Sequence, residues 1–104
     1  MTAPGPIRLI VTDIDGTLTT TAQEITPRVR QAVAAARARG VRTCVATGRA
    51  WRSGRRYIEA LPADPPAILF NGGLVYEFSR DRVLFRQGMD PELALVVVEA
   101  LDAH

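Results

Sequence analysis

The most informative absence in this sequence is lysine. All thirteen basic residues among its 104 are arginine, and the chain has one cysteine and one histidine. The lone Cys44 excludes an internal disulfide, which suits a reducing compartment and predicts a cytoplasmic location. No apolar run is long enough to span a membrane, and the first residues lack the basic and apolar segments of a signal peptide.

The composition is that of one small globular domain. Hydrophobic residues make up 47% and charged residues 23% of the chain, and its length suffices for one domain but not for two. The formal net charge of +2 is too small to predict a nucleic-acid partner. We therefore expect a small-molecule ligand, with no nucleic acid and no membrane as partners.

Strand and helix patterns alternate along the chain. Residues 7–11 form an apolar, β-branched run that is typical of a buried strand. A helix is predicted from Thr26 and Pro27, which suit its cap and first turn, to Gly40, which suits its end. The remaining predictions are strands at 41–46 and 67–70, a helix at 50–61, a hairpin of strands at 74–78 and 82–86, and a last helix from Asp90. This order predicts an α/β fold with a parallel sheet, in which ligands bind beyond the carboxyl ends of the strands.

Two helices have apolar residues at the spacing of one helical face. In the first helix these are Val29, Ala32, Val33 and Ala36. In the last helix they are Leu93, Val96, Val97, Ala100 and Leu101.

Two aspartates directly follow the first predicted strand. In the run Asp13-Ile14-Asp15-Gly16-Thr17, the alternation of an extended chain puts both carboxylates on one side and Ile14 on the other. A hard cation such as Mg²⁺ relieves the repulsion between close carboxylates and also holds phosphate. One aspartate can then attack phosphorus while the other moves the proton of the leaving group. The alternative is an acidic turn that only ends the strand.

Residues 13–18, Asp-Ile-Asp-Gly-Thr-Leu, resemble the first signature motif of the haloacid dehalogenase (HAD) superfamily. The resemblance implies that Asp13 is the phosphoryl-accepting nucleophile and Asp15 the general acid/base. It also implies that the Asp13 side chain and the Asp15 backbone carbonyl help to hold Mg²⁺. Thr17 matches the phosphatase branch, and Gly16, which lets the chain turn sharply, is assigned to the phosphate site.

The ends of the second and third predicted strands carry two further motifs. Thr47-Gly48-Arg49 has the hydroxyl and the helix-start N–H groups that hold phosphate, although the same triplet also suits an ordinary helix cap. It resembles the second motif of the Cof-type HAD phosphatases, which implies that Thr47 contacts the transferring phosphoryl group. Arg49 either meets an anionic substrate or pairs with a surface acid. The turn at 71–73 is similar to a rim segment of that group, which makes Asn71 a candidate substrate contact.

The resemblance covers about residues 7–102, but two motifs of complete enzymes are not found. One supplies a lysine, and the other supplies acidic metal ligands. We therefore expect an incomplete HAD-like Rossmannoid three-layer sandwich that is part of a longer protein. Its predicted parts are a flexible tail at 1–6, the first half of the core at 7–73, and a hairpin and helix at 74–104 that lead into a truncated cap domain. Without the later strands, residues 7–11 become an apolar edge that invites self-association.

The residues and the resemblance together predict a Mg²⁺-dependent phosphatase, in a chain that is a fragment. Its substrate is expected to be a small phosphorylated metabolite such as a sugar phosphate, hydrolysed through an aspartyl-phosphate intermediate. The alternatives are a phosphoglycolate phosphatase or phosphomutase of the same superfamily, a non-catalytic phosphate-binding or dimerising module, and a non-functional remnant. Arg52, Arg55 and Arg56 either widen an anion-attracting mouth or form a solvated helix face, and Tyr57 is expected to be a packing residue.

Overall fold

A computed structural model describes residues 5–103. In chain order its main elements are β1 (Leu9–Thr12), α1 (Pro27–Ala38), β2 (Arg42–Val45), α2 (Trp51–Ala60), β3 (Ala67–Leu69), β4 (Leu74–Glu77), β5 (Arg82–Arg86) and α3 (Pro91–Asp102). The order agrees with the strand and helix patterns of the sequence, so the predicted α/β class is confirmed. The first four residues of the predicted flexible tail lie outside the described residues, as does the C-terminal histidine.

The strands form a short parallel sheet and an antiparallel one that adjoins it. β1 and β2 are parallel, with Leu9 opposite Arg42 and Thr12 opposite Val45. β3, β4 and β5 are antiparallel neighbours in that order. A single parallel bridge between Ala46 and the β3 residue Ile68 connects the two sheets. β1, β2 and β3 therefore end side by side, which brings the three candidate motifs to one edge.

The first helix begins and ends where its sequence signals predict. Thr26 caps α1, because its hydroxyl accepts a hydrogen bond from the Val29 N–H at 3.3 Å. Gly40 follows the helix with φ of 82°, a conformation that glycine adopts without steric cost. On the predicted apolar face of α1, Val33 is buried, Val29 and Ala36 are half-buried, and Ala32 is exposed.

The hydrophobic core lies between the sheet and the helices α1 and α2. Val33 of α1 and Tyr57 and Leu61 of the α2 region share one cluster with Ile14 and Val45. Because both helices contribute to the same cluster, they lie on the same side of the strands, as two successive right-handed crossovers require. A second cluster is formed by Ala67, Leu69 and Tyr76, with Trp51 and Phe78 against it.

Large apolar surfaces remain exposed on the described part of the chain. β1 has β2 as its one partner strand there, and Leu9, Ile10 and Val11 are 52%, 41% and 52% exposed, as expected of an apolar edge. No residue of α3 is buried, so its predicted apolar face is exposed within residues 5–103. No helix among the described residues is long and apolar enough to cross a membrane.

Candidate active site

The buried side chain of Ile14 anchors the segment that carries the two aspartates. Ile14 is 0% exposed, whereas Asp13 and Asp15 on either side are exposed. Its carbonyl oxygen accepts hydrogen bonds from the N–H groups of Thr17, Leu18 and Thr19, and Gly16 turns the chain with φ of 73°. The predicted arrangement, with Ile14 facing the core and both carboxylates facing away from it, is therefore what the structure shows.

Asp15 is held by a guanidinium from the neighbouring strand end. Arg49 donates through Nε to Oδ2 of Asp15 at 2.8 Å and through Nη2 to Oδ1 at 2.6 Å. These hydrogen bonds lower the pKa of Asp15 below its ordinary value of 3.8 and raise the pKa of Arg49. Arg49 was predicted to meet either an anionic substrate or an acidic side chain. In the structure it pairs with an acidic side chain, that of Asp15, which is the candidate acid/base.

Arg49 is fixed on three other sides. Its guanidinium carbon lies 4.6 Å from the ring centroid of Tyr57, a cation–π contact with a side chain that is only 4% exposed. Its backbone N–H donates to the Thr47 hydroxyl at 3.1 Å, and its carbonyl accepts from the Phe70 N–H at 3.0 Å. The sequence identified Tyr57 as a packing residue, which it is. Its contact with the Arg49 guanidinium could not be predicted from the spacing of residues in the sequence.

The ends of β1, β2 and β3 meet as predicted. The Ala46 N–H donates to the carbonyl of Thr12 at 2.9 Å, and the Asn71 N–H donates to the carbonyl of Thr47 at 3.1 Å. A Cβ atom on Gly48 would lie 2.8 Å from Oδ1 of Asn71, so glycine is needed for this close approach. Asn71 has φ of 54°, in the left-handed region that asparagine tolerates better than most residues.

The structure therefore gathers all the predicted site residues at one edge of the sheet. Asp13 and Asp15 follow β1, and the triplet 47–49 follows β2, with Thr47 5% exposed. Asn71 follows β3 and lies against Gly48. Their roles in binding and catalysis remain predictions.

The oxygen ligands available for a cation are few. Oδ1 of Asp13 accepts a hydrogen bond from the Ile14 N–H at 2.7 Å, and both oxygens of Asp15 are bonded to Arg49. Within residues 5–103, no group of three or more aspartate, glutamate, histidine or cysteine side chains is placed to hold a metal ion.

The chain is similar to known proteins over most of its length. A family model described as haloacid dehalogenase-like hydrolase matches residues 10–104. The chain is 35% identical over 97 residues to the pyridoxal phosphate phosphatase YbhA of Escherichia coli strain K12, covering 93% of this chain and 36% of that protein. It is 36% identical over 80 residues to the putative phosphatase YxeH of Bacillus subtilis strain 168, covering 74% of this chain and 30% of that protein.

Solved structures have the same fold. A haloacid dehalogenase-like hydrolase from B. subtilis superposes with a TM-score of 0.81 at 25% identity, over 93% of this chain and 34% of that one. The chain therefore spans about a third of the length of the relatives it matches.

Proposed function

Because the chain belongs to the haloacid dehalogenase-like hydrolase family, we propose that the protein it represents is a phosphatase that hydrolyses a small phosphorylated metabolite. The observation that carries the proposal is the different environment of the two aspartates at the sheet edge. Asp13 presents an exposed carboxylate, whereas both carboxylate oxygens of Asp15 are bonded to Arg49. Two carboxylates in different environments are suited to different roles.

In the proposed reaction, Asp13 is the nucleophile. One of its oxygens attacks phosphorus and forms an aspartyl-phosphate, while the bond from phosphorus to the ester oxygen breaks. Asp15 gives its proton to the leaving alcohol and then takes a proton from the water that hydrolyses the intermediate. The ion pair with Arg49 favours the ionised form of Asp15, which is the form that the second step needs. Donation in the first step requires this pair to loosen.

Thr47, Gly48 and Asn71 are proposed to hold the phosphoryl group and the substrate, with Gly16 beside them in the loop after β1. The Thr47 hydroxyl already accepts one hydrogen bond, from the Arg49 N–H, and its own proton is left to donate to a phosphate oxygen. Asn71 lies at the rim, where its exposed amide can reach a bound molecule.

We propose Mg²⁺ as the cofactor. The donor set fits this ion in part, because Mg²⁺ takes oxygen ligands and is commonly bound through one or two carboxylates together with water and substrate phosphate. The Asp13 carboxylate and the Asp15 backbone carbonyl would hold it. When bound, it would neutralise charge on the phosphate. The likeness to a pyridoxal phosphate phosphatase supports a small phosphorylated substrate, and a sugar phosphate is an equal candidate. A cytoplasmic location also remains a proposal.

The test is hydrolysis of an aryl phosphate by residues 1–104 with and without Mg²⁺. The Asp13→Asn variant is expected to lose turnover, and Asp81→Asn, an exposed aspartate in the turn after β4, is the matched control. Acid quenching followed by mass spectrometry should locate a phosphoryl group on Asp13. Turnover that survives Asp13→Asn would rule out the proposed nucleophile.

A second candidate function is dimerisation through the β1 edge, in a phosphate-binding module without turnover. The exposed side chains of Leu9, Ile10 and Val11 favour it, since an apolar strand edge pairs readily with another chain. Analytical ultracentrifugation of the wild type and Ile10→Lys tests it. Dimers that dissociate in the variant support this function, and a wild-type monomer at micromolar concentration contradicts it.

A further inference from the structure

A second concave surface contains none of the predicted site residues in its lining. It is bounded by the turn that precedes α1, by the first turn of α1 and by α2, and its volume is about 580 Å³. We call it the Arg30–Arg56 groove. Its polar lining comes from Gln23, Glu24, Thr26, Arg30, Arg56 and Tyr57. None of these residues belongs to the catalytic arrangement proposed above, although Tyr57 contacts Arg49.

The two arginines of this groove have no carboxylate partner among the described residues. Four arginines of residues 5–103, at 37, 49, 55 and 80, form ion pairs with an acid within 4 Å, and Arg30 and Arg56 are among the arginines that do not. Glu24 also lines the groove, but it pairs with neither arginine. The groove therefore has two positive charges against one negative charge, and both guanidiniums are available to a ligand.

The neighbouring arginine on α2 shows the contrast. Arg55 is neutralised by Glu59 one helical turn later, with Nε 2.8 Å from the carboxylate. Arg56 instead rests on Tyr57: its guanidinium carbon is 4.6 Å from the ring centroid, and Nη2 donates to the phenol oxygen. Tyr57 is buried, so it holds Arg56 in place while that side chain stays exposed. A guanidinium fixed in this way loses less rotamer freedom when it binds an anion.

We propose that the Arg30–Arg56 groove binds the phosphate group of a small molecule, at a site distinct from Asp13 and Asp15. The planar forks of two arginines from different helices match the oxygens of a phosphate. Thr26 and Gln23 add polar groups to the lining of the groove. No group of the groove is a nucleophile or acid/base in the proposed reaction, although Tyr57 contacts both Arg56 and Arg49.

The test is a nitrogen-15 NMR titration of residues 1–104 with inorganic phosphate, following the backbone amides of residues 23–26 and 56–57. Saturable shifts are expected at these amides. Arg30→Gln and Arg56→Gln should each weaken phosphate binding about ten-fold, because each removes a charge-assisted contact. Arg28→Gln and Arg52→Gln are the matched controls: they lie on the same two helices, are exposed and carry the same charge change, and they should weaken binding less than about two-fold.

Equal weakening in all four variants would overturn the proposal, because it would show attraction by net charge alone. The absence of saturable shifts at the groove amides would overturn it as well. Within residues 5–103, Arg30 forms no cation–π contact with Tyr57, unlike Arg56, so Arg30→Gln tests the site even if Arg56→Gln disturbs the packing of that ring. The amides of Asp15 and Thr47 report the catalytic site in the same spectra. Shifts at the groove without shifts there would show that the groove binds phosphate without occupation of the catalytic site.

Discussion

Arg49 binds both carboxylate oxygens of Asp15, although the two residues are 34 positions apart in the chain. The pair connects the loop after β1 to the segment that leads from β2 into α2. The two motifs that were recognised separately in the sequence thus hold each other in position. A planar guanidinium suits this role better than an ammonium group, because it offers two parallel N–H bonds to one carboxylate.

Arg49→Gln is expected to raise the pKa of Asp15 toward its ordinary value of 3.8, since the hydrogen bonds from Arg49 are the largest cause of its lowering. Arg49→Lys should restore part of the effect, because a point charge remains. The folded-state pKa is depressed, so the stabilisation from this pair is present above the ordinary pKa and is lost as pH falls through the lowered value. Carbon-13 NMR of the labelled Asp15 carboxyl group measures the shift. Arg52→Gln is the control, and an Asp15 pKa that is the same in Arg49→Gln and the wild type would contradict the assignment.

Gly48→Ala is expected to push the Asn71 side chain away from the strand end. The new Cβ would lie 2.8 Å from Oδ1 of Asn71, closer than real contacts allow. Because Asn71 is exposed, its amide can rotate outward, so we expect a stability loss of no more than about 1 kcal/mol. The side-chain amide resonances of Asn71 should shift, and in an active form of the protein KM should rise more than kcat falls.

Asn71→Gly provides the matched background for this test. Glycine keeps the left-handed conformation that residue 71 adopts with φ of 54° and removes the atom that would clash. Gly48→Ala should therefore have no measurable effect on stability in that background. If Gly48→Ala lowers stability as much in this background as in the wild type, the strain does not come from the Asn71 side chain.

The sequence predicted those features that depend on short-range signals. Thr26 and Gly40 were predicted to mark the two ends of α1. In the structure Thr26 caps its start, and Gly40 directly follows its C-terminal cap residue, Arg39. The adjacency of the three strand ends followed from the rule that parallel strands share one carboxyl edge. The chemistry of the site residues followed from their identity and order.

Other features depend on contacts that spacing does not encode. β3 ends at Leu69, one residue early, because Phe70 adopts φ of 51° and leaves the strand. The antiparallel pairing of β3 with β4 was not predicted, since the apolar run of β3 suits either direction. An apolar face on α3 was predicted from its spacing, but spacing does not show what covers such a face, and residues 5–103 leave it exposed. The contact between the Tyr57 ring and Arg49 likewise depends on the tertiary structure.

Asp64, in the segment between α2 and β3, is expected to be important for stability. Its Oδ2 accepts the Thr43 N–H at 3.1 Å, and its Oδ1 lies 3.4 Å from Nε of Arg37. Asp64→Ala leaves a partly buried N–H without an acceptor, which costs about 1–3 kcal/mol. Arg37→Gln should cost less than about 1 kcal/mol, because that side chain is 54% exposed. Urea unfolding measures both, and equal losses would mean that the ion pair, rather than the backbone bond, is the stabilising contact.

Gly54→Ala is expected to destabilise the protein, against the preference of helices for alanine. In an open helix this change stabilises by roughly 1 kcal/mol. Gly54, however, is buried in α2, and an added Cβ would lie 3.2 Å from Cδ2 of Leu69. Leu69 is 0% exposed and has little room to move, so overpacking by about 1–3 kcal/mol should outweigh the gain in helix propensity.

A double-mutant cycle separates these two opposing effects. Leu69→Ala removes the crowding methyl groups and should itself cost about 2–5 kcal/mol by leaving a cavity. In that background Gly54→Ala should become stabilising, because only the gain in helix propensity is left and the new methyl group fills part of the cavity. Gly88→Ala, where an added Cβ meets nothing within 4 Å, is the control for glycine replacement as such. Urea unfolding could instead show that Gly54→Ala stabilises the otherwise unchanged protein. The Leu69 side chain would then be able to move aside, and the close packing of α2 on β3 would not be the reason for glycine at this position.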